Sequence, residues 1–306
     1  MHYHLISIST YHIDPTHSPF IVAHEFFDAL PIHAFQSVEA RPDQATTIQT
    51  PTGDHTLTPV ATKNSSKEPQ WRELVVSPSA PGLSRDSVEE SNARNLSGDD
   101  PEFQLTLSKA ATPHSLYLPE LSPRYKSLKG RPGSLIEISP ESHVYAQEIS
   151  TRIGGSSKVP KPSPSGAAII LDYGTSDTIP TNSLRGIRSH RRVSPLSSPG
   201  LVDLSADVDF TALAEAALDV SSGVEVHGPV EQGMFLLSLG IAEPAKMLAT
   251  GSALDVEKQK RIETAWKRLV DRDGSGMGKV YKAMAIIPEA GGTRRPVGFG
   301  GDVPSS

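Results

Sequence analysis

The feature that most constrains this chain is the run Gly166-Ala167-Ala168-Ile169-Ile170-Leu171-Asp172-Tyr173-Gly174. An uninterrupted apolar stretch this short, closed by a carboxylate and a glycine, fits a strand buried on both faces, and such strands belong to parallel sheets. Phe20-Ile21-Val22-Ala23, entered from Ser18-Pro19, is a second run of the same kind. It leads into His24-Glu25-Phe26-Phe27-Asp28-Ala29-Leu30, a short helical or turn segment that Pro31 closes. Strands of this type alternating with helices give an α/β fold. Open α/β sheets hold ligands beyond the carboxyl ends of their strands, where Glu25, Asp28 and Asp172 stand.

The remaining periodicities fill in the frame. Ile32 to Val38, Trp71 to Val76 and Phe103 to Leu107 read as strands, so that a strand at the sheet centre is followed by an antiparallel meander. Leu135 to Ile138 precedes Ser139-Pro140, a capping residue and a first-turn proline, and Val144, Ile149 and Ile153 give the helix that follows a buried side. Downstream, a helix opens at Asp207 to Thr211 and runs through Leu218, a strand lies within Gly223 to Pro229, and helices cover Gln232 to Leu239 and Val256 to Val270. Lys279 to Ile287 is a last strand.

With 37% hydrophobic residues, 24 Gly and 26 Pro among 306, the chain has less core-forming material than its length allows. The polar segments at about 41–70, 77–101 and 156–165 therefore read as disordered insertions. Residues 1–18 read as an unstructured leader and 288–306 as a disordered tail.

Several functions are disfavoured. A net charge of −6 gives no electrostatic reason for a nucleic-acid partner. No apolar run approaches the length of a membrane span. The absence of cysteine removes disulfides, thiolate metal ligands and cysteine nucleophiles together. No Gly-x-Ser-x-Gly elbow supports an esterase triad. Asp271-Arg272-Asp273-Gly274-Ser275-Gly276 begins like a calcium loop, but its ninth and twelfth positions are Lys279 and Lys282, so it reads as a helix-ending loop. His2 and His4 lack convergent partners in a leader, and no metal ligand set is picked out. Gly298-Phe299-Gly300-Gly301 lacks the strand and helix of a phosphate loop. Arg185, Arg188, His190, Arg191 and Arg192 form a basic cluster, either an anion-docking surface or a solvated loop.

Glu25 and Asp28 are three residues apart and share a face if their segment is helical. Two readings are open: acids placed favourably at a helix start, or a pair of carboxylates that grip a guanidinium.

The block His24-Glu25-Phe26-Phe27-Asp28-Ala29-Leu30-Pro31 with Phe35-Gln36 resembles the Asn-Glu-Phe-Phe-Asp-Ala-Leu-Pro signature of the MidA-like mitochondrial protein arginine methyltransferases, with His24 in place of the usual Asn. The resemblance continues through Leu171-Asp172-Tyr173-Gly174, Thr181 to Arg188, and Pro199-Gly200-Leu201-Val202-Asp203-Leu204-Ser205-Ala206-Asp207-Val208-Asp209-Phe210. It closes with Gly228-Pro229, Gln232, Phe235-Leu236, Leu239-Gly240-Ile241, Met277-Gly278, Tyr281-Lys282 and Met284. The blocks occur in family order over roughly residues 19–287, and Asp203 to Phe210 is the most specific of them.

The resemblance implies a partial Rossmann-like class I methyltransferase fold and S-adenosyl-L-methionine as cofactor. It implies symmetric dimethylation of an arginine on a subunit of the respiratory NADH:ubiquinone oxidoreductase, in support of its assembly in the mitochondrial matrix. Glu25 and Asp28 are then the candidate catalytic residues and Asp172 lines the substrate crevice. Family members carry a glycine-rich turn and a ribose-binding acid upstream of the block at Phe20, and neither precedes it here. The expectation is an amino-terminally truncated homologue that binds S-adenosylmethionine poorly, or alternatively a non-catalytic assembly factor derived from the enzyme.

Overall fold

The computed structural model describes residues 16–39, 46–50, 52–57, 68–79, 102–250, 256–274, 276–292 and 295–300. The strands in chain order are β1 (Phe20–His24), β2 (His33–Val38), β3 (Thr46–Thr50), β4 (Gly53–Leu57), β5 (Gln70–Pro78), β6 (Phe103–Leu107) and β7 (Leu135–Ile138). They continue with β8 (Ala167–Thr175), β9 (Arg185–Arg188), β10 (Arg191–Val193), β11 (Asp203–Ser205), β12 (Val208–Asp209), β13 (Val224–Glu231) and β14 (Tyr281–Pro288). The helices are α1 (Pro113–Tyr117), α2 (Pro123–Lys129), α3 (Pro140–Gly154), α4 (Phe210–Val220), α5 (Gln232–Ser238), α6 (Ala242–Ala249) and α7 (Val256–Val270). None of the described helices is long and apolar enough to cross a membrane.

The chain divides into two units, the first drawn from Met1–Asp28, Glu141–Thr178 and Val208–Ser306. Its sheet has the order β1-β8-β14-β13, with β12 paired to the end of β8. The apolar run that sets the fold class becomes β8, which pairs parallel with β1 from Phe20↔Ala167 to His24↔Leu171. On its other side β8 pairs antiparallel with β14. The sheet is therefore mixed, and β8, not β1, takes the interior position expected of the Phe20 run. As the outer strand of the described sheet, β1 leaves Phe20 82% and Val22 71% exposed.

Alternate residues of β8 are buried: Ala168, Ile170, Asp172 and Gly174. Phe210, Leu213 and Ala217 of α4 and Ile149 and Ile153 of α3 are buried in the same unit. A second cluster gathers Phe235 of α5, Ala283 and Ala285 of β14, and Phe299. Phe299, in the segment expected to be a disordered tail, lies 5.3 Å from the Phe235 ring and is 9% exposed. One aromatic side chain with an apolar socket is enough to anchor that stretch.

The helix expected from Asp207 begins instead at Phe210, because Val208 and Asp209 pair with Gly174 and Thr175. Asp209 then caps it, accepting from Ala212 N at 3.0 Å. After α7, Met277 N donates to Arg268 O at 2.8 Å and Gly278 N to Asp271 O at 2.8 Å, so the aspartate-rich stretch closes a helix.

The second unit covers Ala29–Pro140 and Ile179–Asp207. Its main sheet, β6-β5-β2-β7, is antiparallel throughout, the expected meander. Phe35, Trp71, Ile136 and Ile138 from three of these strands bury against Leu118 and Tyr125. Leu118 and Tyr125 come from short helical segments that hydrophobic periodicity passes over. Thr112 forms a capping box with Ser115 at the start of α1, and Ser122 caps α2 ahead of Pro123. Where 41–70 was expected to lack order, β3 and β4 pair as a hairpin from Thr46↔Leu57 to Thr50↔Gly53. Most of 77–101 and residues 1–15 lie outside the described residues. Residues 156–165 form an irregular segment with neither helix nor strand.

Gly174 allows the end of β8 to meet β12 and α4. A Cβ there would collide with the Val208 carbonyl oxygen and stand 2.9 Å from the Phe210 ring. Gly174→Ala should therefore cost about 1–3 kcal/mol through overpacking. Gly130→Ala, where a Cβ would meet nothing within 4 Å, should stay within about 0.5 kcal/mol. Urea unfolding of the two variants measures the contrast.

Candidate active site

The site is built where β1 ends beside β8. The backbone after Ala23 turns rather than forming a helix, so the three-residue spacing of Glu25 and Asp28 does not put them on one helical face. Glu25 adopts φ 49°, an uncommon left-handed conformation for a non-glycine residue. Its N–H still donates to Leu171 O at 3.1 Å, which fixes this residue to β8. The chain then folds over a single carboxylate oxygen. Asp172 Oδ2 accepts from the backbone N of Phe26 at 3.1 Å, Phe27 at 2.9 Å and Asp28 at 3.3 Å, while Oδ1 accepts from Tyr173 N at 2.9 Å.

Asp172, expected to line the substrate crevice, is wholly buried, and backbone donors take up both of its oxygens. It acts through the turn it holds. Asp28, also buried, is close enough for its charge to oppose ionisation of Asp172. Burial first, and Asp28 second, push the Asp172 carboxyl up to about 7 against the pull of the backbone donors.

Glu25 is the exposed member of the trio. The hydroxyl of Tyr281, the first residue of β14, donates to Glu25 Oε1. The Tyr281 ring is buried and lies 4.0 Å from Tyr173 and 6.2 Å from His24. Burial and the bond to Glu25 raise its pKa and keep the phenol protonated, so it remains a donor. Tyr281 is the site residue that motif reasoning did not single out. The available signal was its register opposite Tyr173, which appears only once β14 is paired with β8. Phe26 is pinned edge-on to Tyr145 of α3 at 5.0 Å.

The basic cluster belongs to the second unit. Arg185 is paired with Asp207 at 2.5 Å, while Arg188, Arg191 and Arg192 are exposed on the β9–β10 hairpin. Ser189 and His190 carry φ 49° and 60°, the positive angles of a tight hairpin turn. Next to it, Glu137 is buried beneath Ser183, whose N and Oγ both donate to it, and burial raises its pKa.

Two outcomes follow from the Asp172 clamp. Asp172→Ala leaves three adjacent backbone donors without their acceptor and should cost about 2–4 kcal/mol, read by urea unfolding. The raised carboxyl pKa means that the folded chain holds a proton that the unfolded chain releases between about pH 4 and 7. This contribution to stability is present at acid pH and is lost as pH rises through about 7. Asp28→Asn removes the opposing charge, and its stability should decline less than that of the parent between pH 5.5 and 8.

The comparisons with known proteins bear on what this geometry serves. Residues 5–230 match the family described as "putative S-adenosyl-L-methionine-dependent methyltransferase". The mitochondrial protein arginine methyltransferase NDUFAF7 of Rattus norvegicus is 30% identical over 275 residues, covering 90% of this chain and 47% of that protein. The Homo sapiens protein of the same name is 28% identical over 286 residues, covering 92% of this chain and 49% of its own. The chain thus spans about half the length of these relatives. A Burkholderia thailandensis protein crystallised with S-adenosyl-homocysteine shares the fold at TM-score 0.53 and 18% identity, over 90% of this chain and 54% of that one. An uncharacterised protein from the same organism reaches TM-score 0.57 at 18% identity, over 95% of this chain and 60% of its own. Through its match over 5–230, the chain belongs to the S-adenosyl-L-methionine-dependent methyltransferase family.

Proposed function

We propose that this chain forms the substrate-facing part of an S-adenosyl-L-methionine-dependent protein arginine methyltransferase. The observation that carries the proposal is the Glu25–Tyr281 pair: an exposed carboxylate, held by a buried phenol, at the carboxyl ends of β1 and β8. The substrate is an arginine on a subunit of the respiratory NADH:ubiquinone oxidoreductase, dimethylated symmetrically in the mitochondrial matrix. The names of the Rattus norvegicus and Homo sapiens relatives support the arginine chemistry and a mitochondrial location.

The chemistry asks for a nucleophilic guanidine nitrogen aligned with an electrophilic carbon. S-adenosylmethionine, when bound, supplies that carbon as a sulfonium methyl group. Glu25 can accept N–H bonds from the guanidinium, orient one nitrogen and receive the proton that the nitrogen sheds. Tyr281 fixes Oε1, which leaves Oε2 for the substrate. Asp172 acts behind Glu25 by holding the turn, in which Asp28 is buried. Among the described residues no glycine-rich turn links a strand to a helix, so the residues fit the substrate side and not the cofactor cradle.

Glu25→Gln keeps the shape and a partner for Tyr281 but removes the charge. It should weaken binding of an arginine peptide about ten-fold or more, while Tyr281→Phe has a smaller effect. Calorimetry with arginine and lysine versions of one peptide reads this. Equal affinity for both peptides, or an unchanged Glu25→Gln, would remove the guanidinium assignment. In parallel, methyl label from S-adenosylmethionine incubated with the chain and a mitochondrial extract should appear in symmetric dimethylarginine. Label confined to other residues would remove the arginine assignment.

A further inference from the structure

The antiparallel unit holds a second group of chemistry-bearing side chains, brought together from three distant parts of the sequence. His33 stands on β2, Glu73 on β5 and His114 in the first turn of α1. Glu73 faces Phe35 in the strand register, so His33, two residues before Phe35, lies diagonally across from it. His33 Nδ1 is 2.7 Å from Glu73 Oε1, and His114 Nδ1 is 3.7 Å from the same oxygen. The two imidazole centroids are 4.1 Å apart. One ligand atom from each of the three residues lies within 4.8 Å of the others.

The surroundings orient this group. Glu73 Oε2 accepts from Thr112 Oγ1 at 2.5 Å, and that hydroxyl also caps α1 by accepting from Ser115 N at 3.0 Å. The bond that starts the helix carrying His114 thus also aims the carboxylate. The His33 ring lies nearly parallel to that of Phe35, at 13° and 6.2 Å between centroids. Glu73 is 8% exposed, whereas the side chains of His33 and His114 are 24% and 56% exposed. The carboxylate is the buried floor and the imidazoles are its solvent-facing walls.

Charge makes the arrangement unusual for a merely structural cluster. A buried carboxylate requires a compensating positive charge. Among the described residues, the side chains of His33 and His114 face its carboxylate from β2 and α1. A divalent cation supplies the charge and accepts all three donors at once. Two imidazoles and one carboxylate are a common set for zinc with a fourth, water-filled position.

We propose that His33, Glu73 and His114 form a divalent transition-metal site, with zinc as its first candidate ion. Binding breaks the His33–Glu73 hydrogen bond, any proton on His33 Nδ1 passing to Nε2 or to solvent, and brings the three donor atoms to the separations of a tetrahedral site. Thr112 is the positioning residue that holds Glu73 through its second oxygen. The ion would tie β2, β5 and α1 together.

The test uses the full chain, stripped with a chelator and titrated with zinc against a chromophoric indicator at pH 7.5. The expected result is one zinc per chain, a rise in melting temperature with zinc, and visible absorption of tetrahedral intensity when cobalt replaces zinc. His114→Ala, at an exposed position that should not disturb folding, and Glu73→Gln should each weaken binding at least ten-fold. Lowering the pH to 5.5 should weaken binding similarly, because protonated imidazoles cannot ligate. The double variant His2→Ala, His4→Ala should leave the affinity unchanged. Failure of the parent chain to take up one zinc, unaltered binding by His114→Ala, or loss of binding in the His2/His4 variant would overturn the proposal.

Discussion

The interaction on which the candidate site depends is the grip of one buried carboxylate on three consecutive backbone N–H groups. Asp172 ends the apolar part of β8 and takes Phe26, Phe27 and Asp28 of the neighbouring turn as donors. Those N–H groups would otherwise be buried without partners, a cost that the chain avoids only by keeping an acceptor inside the sheet. The same bonds hold the chain in place where Glu25 sits in its left-handed conformation. Left-handed backbone is unfavourable for a residue with a Cβ, and it persists when its surroundings over-determine it. Here the Leu171 carbonyl on one side and the Asp172 clamp on the other do so.

From this anchoring the division of labour among the acids follows. Asp28 and Asp172 are buried, and their mutual repulsion and desolvation are a structural tension within the first unit. Glu25 remains exposed and receives a hydrogen bond from a tyrosine that stays protonated. The arrangement separates the two buried acids of the turn from the exposed one.

The antiparallel unit follows a related rule with different parts. Glu73 and Glu137 are both buried acids in its sheet, and among the described residues neither is paired with a lysine. Glu137 is satisfied by the N–H and hydroxyl of Ser183, close to the Arg185–Asp207 pair. Glu73 accepts from a threonine hydroxyl and faces two imidazoles.

Much of this was legible in the residues themselves. Apolar runs place β1 and β8, alternation places β5 and β6, and the boundaries of α7 match its amphipathic stretch because nothing tertiary competes with it. The block from His24 to Pro31 identified the family through side chains whose spacing is local. Other features required pairing across the fold. Alternation cannot distinguish an interior strand from an outer one, so β1 lies at the outside of the described sheet although its composition resembles that of β8. Nor does spacing reveal that Asp172 faces inward onto backbone donors, that Tyr281 meets Glu25 across 256 residues, or that His33, Glu73 and His114 converge. Local sequence determined which segments are strands, which are helices and which residues carry charge. Only the tertiary structure decided which charges are buried together, because burial and register depend on partners that lie far away along the chain.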